Sequence, residues 1–122
     1  MSSNGAILIV ETEFIIALGI QNTLQTLGLS EVVLAKSPDE AAALLEDWSI
    51  LALAIVEIEV DKPGLIEFAL QLVRHGVTVI GLSADSRLVD GLPELPGIPI
   101  LIKPLPDADL AQTIRSRLDQ KL

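Results

Sequence analysis

The stretch Leu51–Gly64, LALAIVEIEVDKPG, decides how the chain is read. It opens with an unbroken apolar run, Leu51 to Val56, rich in Ile, Val and Leu. A run of strand length without polar alternation predicts a central parallel strand buried on both faces. The run stops at a carboxylate, Glu57, with Glu59 and Asp61 close behind, and Lys62-Pro63-Gly64 then turns the chain. In open α/β sheets the chemistry sits just beyond the carboxyl ends of the strands. Glu57 is therefore the first candidate functional residue.

Working outward, Ala6–Val10 (AILIV) is a second buried strand and also ends in an acid, Glu11, followed by Thr12 and Glu13. Phe14 to Leu27 has helical periodicity through Phe14, the Ile15/Ile16 pair, Leu18, Leu24 and Leu27, with Gly28 as a C-cap glycine. Glu31–Ala35 is a short strand. Ser37-Pro38-Asp39-Glu40 is a helix start, with Ser as N-cap, Pro at the first helical position and Glu three residues after the cap; this helix is expected to reach about Asp47. Leu65 to His75 is amphipathic, with Ile66, Ala69, Leu70 and Val73 inward. Val77–Leu82 is a fourth strand ending at Ser83, and Pro99–Ile102 a fifth ending at Lys103-Pro104. Between them, Gly91, Pro93, Pro96 and Gly97 break the 84–97 segment, leaving one short turn of helix at most. Asp107 to Leu118 is the last helix, with Leu110, Ile114 and Leu118 as its buried stripe.

Five β-α units predict a doubly wound α/β fold: a five-stranded parallel sheet of order 2-1-3-4-5, flavodoxin-like, with the fourth helix short or absent. In that order Glu11, Thr12, Glu57, Ser83 and Lys103 converge at one edge of the sheet, although over ninety residues separate the first from the last.

At 122 residues the chain is expected to form one domain over 1–122, with no output domain. Its aromatic residues are Phe14, Phe68 and Trp48 alone, so the core is aliphatic and offers few rings to stack on bases. A net charge of −9 disfavours nucleic-acid binding. Without cysteine there are no disulfides, thiolate metal sites or thiol catalysis. Apolar runs are too short to span a membrane, and MSSNG lacks the basic start of a signal peptide. A cytoplasmic protein that binds neither nucleic acid nor membrane is the expectation.

Two acids, a hydroxyl and a lysine at neighbouring strand ends suit phosphoryl chemistry with a divalent cation. On the motifs ILIVETE, IVEIEV, IGLSA and ILIKP, in this order and spacing, the chain resembles a response-regulator receiver domain of two-component phosphorelay signalling across essentially its whole length. The resemblance places Glu57 at the phosphoacceptor position, where receivers carry aspartate. Glu11 fills the first place of their Mg²⁺-holding acidic pair, and Thr12 stands in the second. Ser83 matches their switch hydroxyl, and Lys103 their phosphoryl-binding lysine, with Lys103-Pro104 implied to be cis. Ile100 stands where receivers have an aromatic switch residue. The loop after the third strand is one residue short, with Asp61 where proline is usual.

These departures bear on chemistry. Glutamate is longer than aspartate by one C–C bond, ~1.5 Å, and in-line attack tolerates little misplacement. Thr12 removes one charged metal ligand, so Mg²⁺ binding, through Glu11 and Glu57 if it occurs, is expected to be weak, and no cofactor is expected otherwise. The sequence predicts an atypical stand-alone receiver, not an enzyme. Its phosphoacceptor site is degraded, or is mimetic through a Glu57 that reaches Ser83 and Lys103. It would act by contact with a sensor histidine kinase, a downstream regulator or a second copy of itself. The alternative is a functional phosphoacceptor that uses Glu57 with Mg²⁺. A flavodoxin-like cofactor site is set aside, because Glu11-Thr12-Glu13 would repel phosphate and aromatic residues to sandwich a flavin are lacking.

The expected partner surface is an apolar group, Leu88, Val89, Leu92 and Leu95, exposed in part beside the outer side of the last helix. An ion pair between Glu57 and Lys103 and a helix-capping role for Thr12 complete the expectations at the site. His75 is read as a polar helix terminus and Trp48 as a partly buried packing residue.

Overall fold

The computed structural model of the chain describes residues 5–119. The strands are β1 (Ala6–Val10), β2 (Val32–Ala35), β3 (Leu51–Glu57), β4 (Thr78–Ser83) and β5 (Ile100–Ile102). They form one sheet of order β2-β1-β3-β4-β5, and every pairing is parallel. The helices are α1 (Phe14–Thr26), α2 (Pro38–Leu44), α3 (Pro63–Arg74) and α4 (Asp107–Asp119). The predicted architecture is the observed one.

The sheet separates two apolar layers, and strand alternation assigns residues to them. Leu8, Val10, Ala54 and Val56 face a layer built with Ala41 of α2 and Phe68, Ala69 and Leu72 of α3. Ile7, Ile9, Leu53 and Ile55 face the other, with Ala17, Ile20 and Leu24 of α1 and Leu110 and Ile114 of α4. Both faces of β1 and β3 are thus buried, which is why their sequences read as continuous apolar runs.

Between β4 and β5 there is a single 3₁₀ turn, Ser86–Leu88, where a fourth crossover helix would lie. The exposed-patch expectation is corrected here. Leu88 and Leu95 are 5% and 1% exposed and belong to the core, together with Ile98. With no helix over this end of the sheet, the irregular segment folds back to cover it. Gly91 and Gly97, at φ of 93° and 78°, make the reversals that this path needs. Val89, 62% exposed, and the half-buried Leu92 are what remain accessible.

Other differences are local. In α1, Phe14, Ile15 and Leu18 point outward and the buried face is Ala17, Ile20, Thr23 and Leu24. Helix α2 ends at Leu44 instead of about Asp47, because Leu45 turns to extended backbone and buries its side chain. Ser37 caps α2 as expected, accepting from the Glu40 amide at 3.1 Å. Pro63 and Gly64 begin α3 instead of forming a separate turn, with Pro in the first turn where its missing N–H costs nothing. Val73, expected inward, is 44% exposed. Half-buried Trp48 meets Phe68 edge-on at 5.4 Å. His75 is the C-cap of α3, with Nδ1–H donating to the Gln71 carbonyl at 2.8 Å. Both residues have the structural roles expected of them.

Candidate functional site

Parallel pairing brings the strand ends into register: Val10 lies beside Val56, and Glu57 beside Leu82. Glu11, Thr12, Glu57, Ser83 and Lys103 therefore meet at the carboxyl edge of the sheet, as predicted. Glu11, Glu57 and Ser83 are 2%, 6% and 0% exposed. Glu57 and Ser83 border a cleft of about 630 Å³ whose walls also include Thr12, Glu59, Arg87 and Lys103.

The expected ion pair between Glu57 and Lys103 is present, but Glu11 holds the lysine more closely. Lys103 Nζ lies 3.0 and 3.2 Å from the two oxygens of Glu11 and 3.9 Å from Glu57 Oε2. The lysine is thus held by Glu11, with Glu57 a more distant neighbour. The reason is burial. The Glu11 side chain is fully enclosed, so its charge takes the nearest cation. Its Oε2 also accepts the Glu13 amide at 3.1 Å.

Glu57 is served by Thr12. The Thr12 amide donates to Glu57 Oε1 at 3.1 Å and its hydroxyl donates to the same oxygen at 2.9 Å. The helix-capping role expected of Thr12 is therefore corrected: Glu13 is the N-cap of α1 and makes no side-chain cap bond. The hydroxyl is occupied by the carboxylate across the strand gap. Glu57 Oε1 takes both Thr12 donors, its Oε2 stays 3.9 Å from Lys103 Nζ, and Ser83 Oγ accepts the Asp85 amide at 3.0 Å.

Glu59 completes the group. Its carboxylate lies 3.4 Å from Lys62 Nζ, and its carboxyl neighbours that of Glu57. Burial acts to raise the Glu57 carboxyl, but the hydrogen bonds from Glu59 and Thr12 and the charge of Lys103 together hold it below the usual range. The Glu59 carboxyl is pushed up, first by its bond to Glu57 and then by burial. Of the two, Glu57 stays ionised and Glu59 holds a proton to higher pH. The sequence placed Glu59 near enough to take part but gave no direction for its side chain. Arg87, bidentate to Asp85 at the cleft margin, was not singled out by the sequence, since nothing in the 84–97 segment sets its path.

The donor set does not fit a Mg²⁺ ion as arranged. Both Glu11 oxygens face an ammonium, and one Glu57 oxygen already accepts two protein donors. Thr12 brings no charge, and among the described residues no group of three or more acidic, His or Cys side chains is disposed to hold a metal.

Ile100 is 4% exposed and packs against Gly81, where a Cβ would come within 3.1 Å of Ile100 Cγ1. The Lys103–Pro104 bond is cis. Among solved structures, the chain is similar to a CheY-like response regulator receiver domain protein of Methanospirillum hungatei JF-1 (24% identity, 98% of this chain and 97% of that one, TM-score 0.77). It is also similar to a response regulator receiver protein of Burkholderia phymatum (20%, 94% and 95%, 0.79) and a response regulator of Thermotoga maritima (20%, 95% and 98%, 0.78). The fold is that of response-regulator receiver domains. No protein-family model matches the sequence, and no curated protein does. Among the described residues of this receiver fold, no helix is long and apolar enough to cross a membrane.

Proposed function

We propose that the chain is an atypical receiver of two-component signalling, cytoplasmic and not an enzyme, that works by protein contact without accepting a phosphoryl group. The observation that carries this reading is the closed pairing at the strand ends: Thr12 with Glu57, and Lys103 with Glu11. A phosphoacceptor carboxylate needs a free oxygen facing the donor, with a cation and a metal beside it to take up developing charge. Here the cation is committed to a buried acid, and the carboxylate is tied down by a neutral residue. The partner would be a sensor histidine kinase or a downstream regulator, because the fold is the one that solved receiver domains share.

Thermal unfolding with and without Mg²⁺ tests the closed site. A ligand that binds only the folded chain raises its melting temperature by mass action. The reading expects no rise at millimolar Mg²⁺. A rise that disappears in Glu11→Gln would show a working metal site and favour the phosphoacceptor reading.

A further inference from the structure

The cleft at the strand ends carries more negative charge than its own cations take up. Lys103 is held by Glu11 at 3.0 Å and Arg87 by Asp85 at 2.8 Å. Glu13, Glu57, Glu59 and Asp61 also line the cleft. Of these, Glu57 is the buried one, 6% exposed. Its Oε1 takes both Thr12 donors. Among the described residues no amine, amide or alcohol donates to its Oε2. The nearest cation, Lys103 Nζ, is 3.9 Å away, beyond a hydrogen bond. What neighbours this carboxylate instead is another carboxyl, that of Glu59. Two neighbouring carboxylates repel, and a positive group between them removes the repulsion.

We propose that the cleft receives the guanidinium of an arginine side chain from a protein partner, seated against Glu57 Oε2 and the Glu59 carboxyl. The inference rests on the reading that the chain works by contact, and it names what the contact brings. Charge is the first argument. A chain of net charge −9 draws basic surface towards it, and Glu57 is the buried acid left without a close cation. Glu11 balances Lys103, so that ammonium puts little repulsion on the guest. Donor geometry is the second argument. A guanidinium is always charged, is weakly hydrated and holds its N–H groups in a planar fork that can bridge two carboxyls. It does not demand the near-octahedral oxygen shell of Mg²⁺, which Glu11 and Thr12 fail to supply here. The wall of the cleft is the third argument. Val60, 48% exposed, and Ala84 line it beside the acids. An apolar wall covers the methylene stem of an arginine while its head is paired; a bare metal ion has no use for one.

Amide NMR of the full chain, titrated at constant ionic strength with N-acetyl-arginine amide, tests it. The Thr12 and Ser83 amides should shift and saturate with a Kd of about 10 mM, the affinity of one or two charge-assisted hydrogen bonds. Glu57→Gln keeps an oxygen for the two Thr12 donors and removes the charge. It should weaken binding at least about tenfold. Glu31→Gln, at an exposed acid outside the cleft, changes the net charge equally and should leave binding unchanged. N-acetyl-lysine amide should bind at least about threefold more weakly than the arginine compound. The absence of a saturable shift would overturn the arginine site and leave the contact reading in place. So would a response indifferent to Glu57→Gln, one lost equally in Glu31→Gln, or a lysine compound that binds as tightly. Mg²⁺ that shifts the same amides and displaces the arginine compound would overturn both the arginine site and the closed pairing.

Discussion

Two donors of Thr12, its amide at 3.1 Å and its hydroxyl at 2.9 Å, converge on one oxygen of Glu57. Taken singly, a neutral Thr12 and a long Glu57 carboxylate each look like a poor fit to phosphoryl chemistry. Together they fit each other. The extra C–C bond of glutamate, ~1.5 Å, carries its carboxylate across to the neighbouring strand end, and a neutral donor there receives it where an acid would repel it.

Thr12→Val removes the hydroxyl at nearly constant shape and leaves the amide. A hydrogen bond to a charged group is worth about 1.5–3 kcal/mol, and the partly open position of Thr12 places this one at the low end. Urea unfolding should show a loss of about 1.5 kcal/mol. In Glu57→Asp the shorter carboxylate falls short of the hydroxyl, so adding Thr12→Val there should cost much less than in the wild type. Equal costs in the two backgrounds would remove the proposed fit.

The paired change Thr12→Asp with Glu57→Asp places two short carboxylates beside Glu11. Without metal they repel one another and stability at neutral pH should fall. Added Mg²⁺ should restore it, and calorimetry should register binding that the wild type lacks. A double variant that ignores Mg²⁺ would locate the defect elsewhere, in the shortened loop after β3.

Lys103 and Glu11 form a pair whose side chains are 11% and 0% exposed. Removing one partner leaves an uncompensated buried charge, a loss of about 3–5 kcal/mol. Lys103→Met should therefore be among the most damaging single changes at this edge of the sheet. Adding Glu11→Leu, which removes the stranded charge, should recover much of the loss. Denaturant titration of the three proteins separates ion-pair loss from simple misfolding.

The convergence of these residues was legible in the sequence, because strand ends marked by Glu11, Glu57, Ser83 and Lys103 follow from periodicity and topology alone. Which acid takes the lysine was not legible. That depends on enclosure, and only the packed structure shows that Glu11 is the more deeply buried of the two. Leu88 and Leu95 were misread for a related reason. Exposure in a segment broken by Gly91, Pro93, Pro96 and Gly97 has no periodicity to report it, and the path of the loop decides which side chains cover the sheet. In α1 the apolar residues outnumber those one buried stripe needs, so periodicity alone could not separate the inner face from Phe14, Ile15 and Leu18.

Glu59 gives a pH signature. The folded chain holds its proton above the ordinary Glu value of 4.5. Its stabilising bond to Glu57 is therefore complete below that value and lost as pH rises through the raised pKa. The lowered carboxyl of Glu57 acts in the opposite sense, but it does so in wild type and variant alike. Glu59→Gln keeps a donor facing Glu57 at every pH, and the exposed contact with Lys62 that it removes is worth little. The variant should melt higher than the wild type near neutral pH, with the gap closing as pH falls towards the ordinary Glu value. A gap independent of pH would rule out the shared proton.

Ile100 is 4% exposed, and its Cγ1 and that of Ile58 crowd the space that a Cβ on Gly81 would take. Ile100→Tyr should cost about 1–3 kcal/mol, the usual penalty of overpacking, and Gly81→Ala a similar amount for the same reason. A stable Ile100→Tyr protein would mean that the larger side chain can swing outward.

Whether the paired strand-end residues still accept a phosphoryl group is decided most directly by intact mass, measured after incubation with a small phosphodonor and Mg²⁺. The closed pairing of Thr12 with Glu57 and of Lys103 with Glu11 predicts an unchanged mass for the wild type. A gain of one phosphoryl group that vanishes in Glu57→Gln would contradict the account.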